Sequence, residues 1–145
     1  MNATASSPDA ALVLQLLQLH SQVQKQVGRS LSAHGIGVSE YVVLQRLHQA
    51  AEQKLGRSEL AELVGLSPSG VTRLLNPMEK IGLVAKEDNP RDARMSWVTL
   101  TEAGQQIARD AQVSFAHAAA AMFAHLDAAE VAALAAGLQG ATRRV

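Results

Sequence analysis

The stretch from Arg57 to Leu75, RSELAELVGLSPSGVTRLL, gathers side chains whose types and spacing suit the reading of a nucleic-acid duplex. Ser67, Ser69, Gly70, Thr72, Arg73 and Asn76 fall mainly on one side of a helix starting at Ser67. Val71, Leu74 and Leu75 fall on the other side. Small polar residues near a helix N-terminus allow close approach to base edges and phosphates. Arg73 has the fork that pairs with guanine, and Asn76 has a carboxamide for adenine or for a phosphate. Arg57 adds a cation for a phosphate at the start of the stretch. Phosphate contacts are commoner than base contacts, so holding and reading the duplex are separate tasks. The plainer reading of the same residues is a solvated face on a helical hairpin inside a core.

The spacing says how such side chains would be positioned. With Arg57 as the first position, Ala61 is fifth, Gly65 ninth, Val71 fifteenth and Leu74 eighteenth. A small residue lets two helices approach, Gly65 accepts a positive φ in the turn, and the apolar residues fill the angle between the helices. Ser67 is a natural N-cap, and Pro68 follows at the first helical position, where a missing N–H costs nothing. This is the pattern of a helix-turn-helix. Pro77, further along, predicts a kink or break near Arg73–Pro77, because proline removes the bond to the Arg73 carbonyl and crowds that turn.

Composition sets the frame. The chain has 145 residues, 48% hydrophobic and 18% charged, with one Trp, one Tyr and two Phe. A core short of aromatics is built from Leu, Val and Ala, which suits helices. The absence of cysteine excludes disulfides, thiol redox switches and thiolate zinc sites. The start, MNATASSPDA, is polar without an early basic region, and no apolar run approaches membrane-spanning length. A soluble, cytoplasmic protein with no membrane partner is expected. Net charge is zero, with 13 basic and 13 acidic residues. Between Lys54 and Arg94 seven basic residues meet six acidic ones, 7 − 6 = +1. Binding to DNA therefore requires the basic groups on one face and the acidic groups elsewhere.

Residues 1–8 are small and polar and are expected to form a disordered arm, with Asp9 capping the helix that follows. Leu12, Leu16, Leu19, Val23, Val27 and Leu31 recur at helical steps, and Val13, Leu14 and Leu17 broaden the stripe. Gly35 and Gly37 end this helix, and Ser39 is a cap for a second one containing Tyr41 and Leu47. Ala50–Leu55 reads as a loop with a short strand. After the two motif helices, Gly82 terminates the second. Leu83–Lys86 and Met95–Leu100 are strand-like and flank Asp88-Asn89-Pro90-Arg91-Asp92, a turn with a charged tip. A hairpin directly after a helix-turn-helix is a wing. Thr101 caps the next, alanine-rich helix, and Asp127 with Glu130 forms a capping box opening a last helix through Leu138. The fold class that follows is mainly α with a small β-hairpin. The boundaries are 9–35 and 101–140 for long terminal helices, 36–100 for a winged helix-turn-helix lobe, and 141–145 for a tail.

Helix-turn-helix, wing and long apolar end helices together resemble the MarR family of bacterial transcriptional regulators. Asp92-Ala93-Arg94 matches the family's Asp-x-Arg at the wing tip, and Leu100-Thr101-Glu102-Ala103-Gly104 matches the start of the helix after the wing. Leu60-Ala61 through Val71-Thr72-Arg73-Leu74-Leu75 and Glu79-Lys80-Ile81-Gly82-Leu83-Val84 match the motif helices and the exit from the second. The resemblance spans about Leu12 to Leu138. It implies a homodimer whose first and last helices interleave, with two winged lobes on double-stranded DNA at a pseudo-palindromic operator. It implies that Arg94 enters the minor groove with Asp92 orienting its guanidinium, and Arg91 is a second wing cation for a phosphate. It further implies a repressor released by a small, phenolic or aromatic anionic effector bound between the end helices and the lobe. His20, Tyr41 and Arg46 on the first two helices are candidates for that pocket.

Other function classes find less support. His117 and His125 lie eight apart on one helix, but no His-x-x-x-His pair or carboxylate cluster accompanies them, so no metal site and no cofactor is expected. There is no Gly-rich phosphate loop, no Gly-x-Ser-x-Gly elbow and no grouped acid and base, so the chain is not expected to be an enzyme. The principal alternative is a winged-helix module that binds other proteins and no operator.

Overall fold

The computed structural model describes residues 7–92 and 95–142. In chain order it runs α1 (Pro8–Ser32), α2 (Val38–Gln49), a single 3-10 turn (Ala51–Gln53), β1 (Lys54–Gly56), α3 (Arg57–Val64), α4 (Pro68–Lys80), β2 (Val84–Asp88), β3 (Ser96–Leu100), α5 (Glu102–Met122) and α6 (Ala128–Thr142). The expected class, mainly helical with a small β element, is the one observed. Residues 1–6 of the expected arm and 143–145 of the tail lie outside the described residues.

Local signals account for most boundaries. Ser67 Oγ accepts from the Gly70 N–H at 3.1 Å with Pro68 at the first turn of α4. Gly65 closes α3 at φ 73°, in the left-handed region that glycine takes without steric cost. Thr101 Oγ1 accepts from the Gly104 N–H at 3.0 Å. Asp127 and Glu130 form the reciprocal box, Glu130 N–H to Asp127 Oδ1 at 2.8 Å and Asp127 N–H to Glu130 Oε1 at 3.2 Å.

Three local expectations are corrected. The cap of α1 is Ser7, whose Oγ accepts from the Ala10 N–H at 3.1 Å; Pro8 takes the first helical position and Asp9 sits inside the first turn. Serine followed by proline is the stronger start, and Asp9 still complements the positive end of the helix from within. The N-cap of α2 is Gly37 in extended conformation, without a side-chain bond, and Ser39 is already helical. The third concerns the break at Pro77, which does not occur: α4 is one continuous helix from Pro68 to Lys80. Pro77 and Arg73 are both exposed, so water can hydrate the carbonyl that proline leaves unbonded. Val71, Leu75 and Met78 are buried on the opposite face and hold the helix there. The Pro77 carbonyl accepts the Ile81 N–H at 3.1 Å, so the final turn stays closed.

The short strand before the motif turns the hairpin into a three-stranded antiparallel sheet of order β1-β3-β2. Lys54 pairs with Thr99 and Gly56 with Trp97, while Val84 pairs with Leu100 and Asp88 with Ser96. The core lies between the second half of α1, α2, α3, α4, the sheet and the first half of α5. Leu31, Val43, Leu44, Leu47, Leu60, Val71, Leu75, Met78 and Val98 are its fully buried side chains. Each contributes about 1.5–3 kcal/mol of transfer free energy. α1 is tied to α5 by polar contacts as well: Ser30 Oγ donates to the Ser114 carbonyl at 2.9 Å, and His34 Nε2 lies 2.7 Å from Ser114 Oγ.

Two regions lack that burial. On the first half of α1, Leu12, Leu14 and Leu17 are 53%, 64% and 59% exposed. Every residue of α6 is exposed, including Val131, Leu134 and Leu138.

Candidate nucleic-acid interface

α4 presents Ser67, Ser69, Arg73 and Asn76 to solvent, with Gly70 and Thr72 half-buried between them. The first turn is crowded by design of its cap. Ser67 Oγ also lies 3.2 Å from Ser69 Oγ, and a Cβ on Gly70 would stand 3.2 Å from that same capping oxygen. Glycine therefore keeps the cap free. Val71, Leu75 and Met78 anchor the other face in the core, so the polar face has a fixed direction.

Arg57 is placed differently from the rest. It follows Gly56, the last residue of β1, and its Nη1 donates to Thr72 Oγ1 at 3.0 Å. That hydroxyl in turn donates to the Pro68 carbonyl at 3.1 Å, one helical turn back. Arg57 Nε is buried and makes no hydrogen bond. Beside it a notch of about 130 Å³ is lined by Arg57, Ser58, Met95 and Ser96.

The wing is built on the paired strands β2 and β3. Its tip is an Asx-turn: Asn89 Oδ1 accepts the Arg91 N–H at 3.0 Å, and the Asn89 carbonyl accepts the Asp92 N–H at 3.2 Å. Arg91 is exposed and Asp92 half-buried. Arg94, with Ala93, lies outside the described residues.

Charge on the lobe is sorted by pairing. Lys54 Nζ lies 3.2 Å from Glu52 and 3.7 Å from Glu87, and 5.6 Å from the ring centre of Trp97. Lys86 pairs with Glu79 at 3.8 Å. Such surface pairs contribute about 0–1 kcal/mol each. Their effect on the interface is to keep three carboxylates in company with lysines of the sheet.

A second feature lies between the lobe and α5. Tyr41 of α2 stacks on Phe115 of α5, ring centres 4.6 Å apart and planes 24° from parallel. They wall a cleft of about 470 Å³ completed by Val42, Gln45, Arg46, Gln49, Gln112 and Ala116. Burial pushes the Tyr41 phenol above its ordinary pKa. Tyr41 and Arg46 thus meet at one cleft, whereas His20 is exposed on α1 and does not line it. Phe115 and the three glutamines are not among the residues the sequence offers for this pocket. The only available signal was that Phe115 is one of four aromatic residues in the chain.

A sequence profile of the MarR family matches residues 36–96, from the end of the α1–α2 connection to the first residue of β3. The chain carries a MarR-family domain. Solved structures share the fold over a longer span. A MarR family transcriptional regulator from Streptomyces coelicolor, in complex with DNA, has 22% identity and a TM-score of 0.85, covering 97% of this chain and 90% of that chain. A mutant MarR from E. coli, complexed with operator DNA, has 24% identity and a TM-score of 0.83, covering 90% and 93%. CouR from Rhodococcus jostii RHA1, bound to p-coumaroyl-CoA, has 26% identity and a TM-score of 0.79, covering 94% of both chains. No curated protein matches the chain.

The matched segment takes in α2, α3, α4, β2 and the turn after it, so the polar face of α4 lies within it while most of β3 lies beyond. The aromatic cleft straddles its border, since Tyr41 is inside the matched segment and Phe115 beyond it.

Proposed function

We propose that this chain is a homodimeric, sequence-specific DNA-binding regulator that represses transcription until a small ligand releases it. The observation that carries this reading is the exposed row Ser67, Ser69, Arg73 and Asn76 on a capped helix anchored by its opposite face, beside a wing, within a MarR domain. Such a helix enters the major groove with its N-terminal residues on base edges. Arg73 and Asn76 are the base-reading pair, Ser67, Ser69, Gly70 and Thr72 line the approach, and Arg91, Asp92 and Arg94 hold the flanking minor groove. Arg57 is taken up below.

The dimer is supported by the exposed apolar faces of α1 and α6. An isolated helix of 15 residues is marginal in water, and α6 buries none of its residues within the protomer. Covering these faces with a second copy would give one two-fold unit and place two α4 helices about ten base pairs apart. The effector reading is supported by Arg46, an exposed cation lining a cleft walled by stacked aromatic rings, a setting for an aromatic anion. A ligand there would act by binding the two arrangements of lobe and end helices with different affinity. The cytoplasm is the compartment this role requires.

Selection of bound duplexes from a random-sequence library by the purified full chain tests the reading. A pseudo-palindromic consensus is expected, with binding that weakens steeply as salt rises. Arg94→Ala should weaken binding to that consensus with the fold intact. Failure to enrich any sequence, with a flat salt response, would point to a module that binds proteins instead.

A further inference from the structure

We infer that Arg57 is a positioning residue that locks the recognition helix to the wing sheet and sets sequence discrimination, and that it does not act as a phosphate contact. The inference rests on the DNA-binding reading above. Three observations converge on it. The backbone of Arg57 leaves the sheet directly, because Gly56 before it is paired with Trp97 of β3. Its side chain reaches back to α4, where Nη1 donates to Thr72 Oγ1 at 3.0 Å. Its Nε is buried without a partner, so that edge of the guanidinium is turned away from solvent.

Thr72 completes the lock. Its one hydroxyl hydrogen goes to the Pro68 carbonyl at 3.1 Å, and a lone pair receives Arg57. The chain of bonds therefore runs from the sheet through Arg57 and Thr72 to the first residue of α4. A planar fork on a short, half-buried path has one usable geometry, which an ammonium on a flexible stem does not reproduce. Arg57 also lines the notch against Met95 and Ser96, at the start of β3 on the tip side of the wing. It thus touches the recognition helix and lies against the wing, the two elements that must reach adjacent grooves in register.

A brace and a phosphate contact predict different behaviour. Neutralising a phosphate adds equally to binding of every sequence and contributes about 0.9 to the salt slope per contact. Losing a brace misplaces base-reading side chains, so it weakens cognate binding while leaving non-specific binding nearly as it was. The experiment compares the wild-type dimer with Arg57→Lys, Arg57→Gln and Thr72→Val. Each is titrated against the duplex selected by the wild type and against a scrambled duplex of the same composition, over a range of salt. The expected result is a fall of about tenfold or more in the ratio of cognate to scrambled affinity for all three variants, with the salt slope unchanged. Thr72→Val should add little to Arg57→Gln in the double variant, because both remove one bond. Recovery of cognate affinity by Arg57→Lys, or a fall in both affinities with a shallower salt slope, would overturn the inference. Circular dichroism guards against global unfolding, and Thr72→Val, a near-isosteric change, serves as the reading if Arg57→Gln does not fold. Should the wild type itself fail to distinguish the two duplexes, the DNA-binding reading falls, an outcome separate from any behaviour of the variants.

Discussion

The carbonyl oxygen of Leu83 fills the space where a side chain on Gly104 would begin. The first turn of α5 is pressed against the chain as it enters β2, and Thr101 stitches the two: its N–H donates to the Leu83 carbonyl at 3.2 Å, and its Oγ1 lies 2.6 Å from the Gly82 carbonyl and 3.0 Å from that of Leu83. Gly104 is buried, and the obstructing atom belongs to the backbone, so neither can give way by changing rotamer. Gly104→Ala should therefore cost about 2 kcal/mol or more, despite alanine's better helix propensity. Urea denaturation followed by circular dichroism measures it; a variant as stable as the wild type would show that α5 can slide away from the wing.

Pro77 sits at an exposed place on an unbroken helix, where its missing N–H leaves the Arg73 carbonyl to solvent. Pro77→Ala restores that bond without disturbing the core face formed by Val71, Leu75 and Met78. A gain of about 1–3 kcal/mol is expected, reduced by the greater freedom of the unfolded alanine chain. A drop in thermal midpoint would mean that proline's ring packs usefully where it stands.

Tyr41 is the chain's one tyrosine, and burial raises its pKa. The folded state therefore holds the phenol neutral to higher pH than the unfolded state does. This contribution to stability is present in full below the ordinary pKa of about 10 and is lost as pH rises from there through the higher folded value. Tyr41→Phe should flatten this alkaline decline relative to the wild type in denaturation series. Ultraviolet absorbance of the phenolate reads the same group directly, and a midpoint at or below the ordinary value would contradict the assignment.

Leu134 is 40% exposed on α6 and faces a small apolar groove with Phe123, Val131, Ala135 and Leu138. If a second copy covers this face, Leu134→Glu places a charge in a dry interface. Gel filtration and sedimentation at micromolar concentration should then give monomer or unfolded chain, and operator binding should fall with it. A variant that remains dimeric would place the interface elsewhere.

The sequence by itself determined the elements whose causes are local. The caps Ser67, Thr101 and Asp127 with Glu130, the left-handed turn at Gly65 and the helical stripe of α1 act through atoms a few residues apart, so composition and spacing suffice to read them. The Arg57–Leu75 spacing and the wing motif were sufficient for the resemblance to MarR regulators. Where local signals competed, the Ser7-Pro8 start outweighed Asp9, and Gly37 took the cap of α2 ahead of Ser39.

Only the tertiary structure decided which faces meet. Tyr41 and Phe115 are far apart in the chain yet share a stacked contact, and Arg46 joins them while His20 does not. The pairing of Lys54–Gly56 with β3 turned a hairpin into a sheet, and with it placed Arg57 where its side chain reaches Thr72. The core face of α4 carried the helix through Pro77 against its local preference. In each case the deciding energy comes from burial and hydrogen bonding between distant segments, which outweighs a local propensity of a few kcal/mol and leaves no periodic trace in either segment alone.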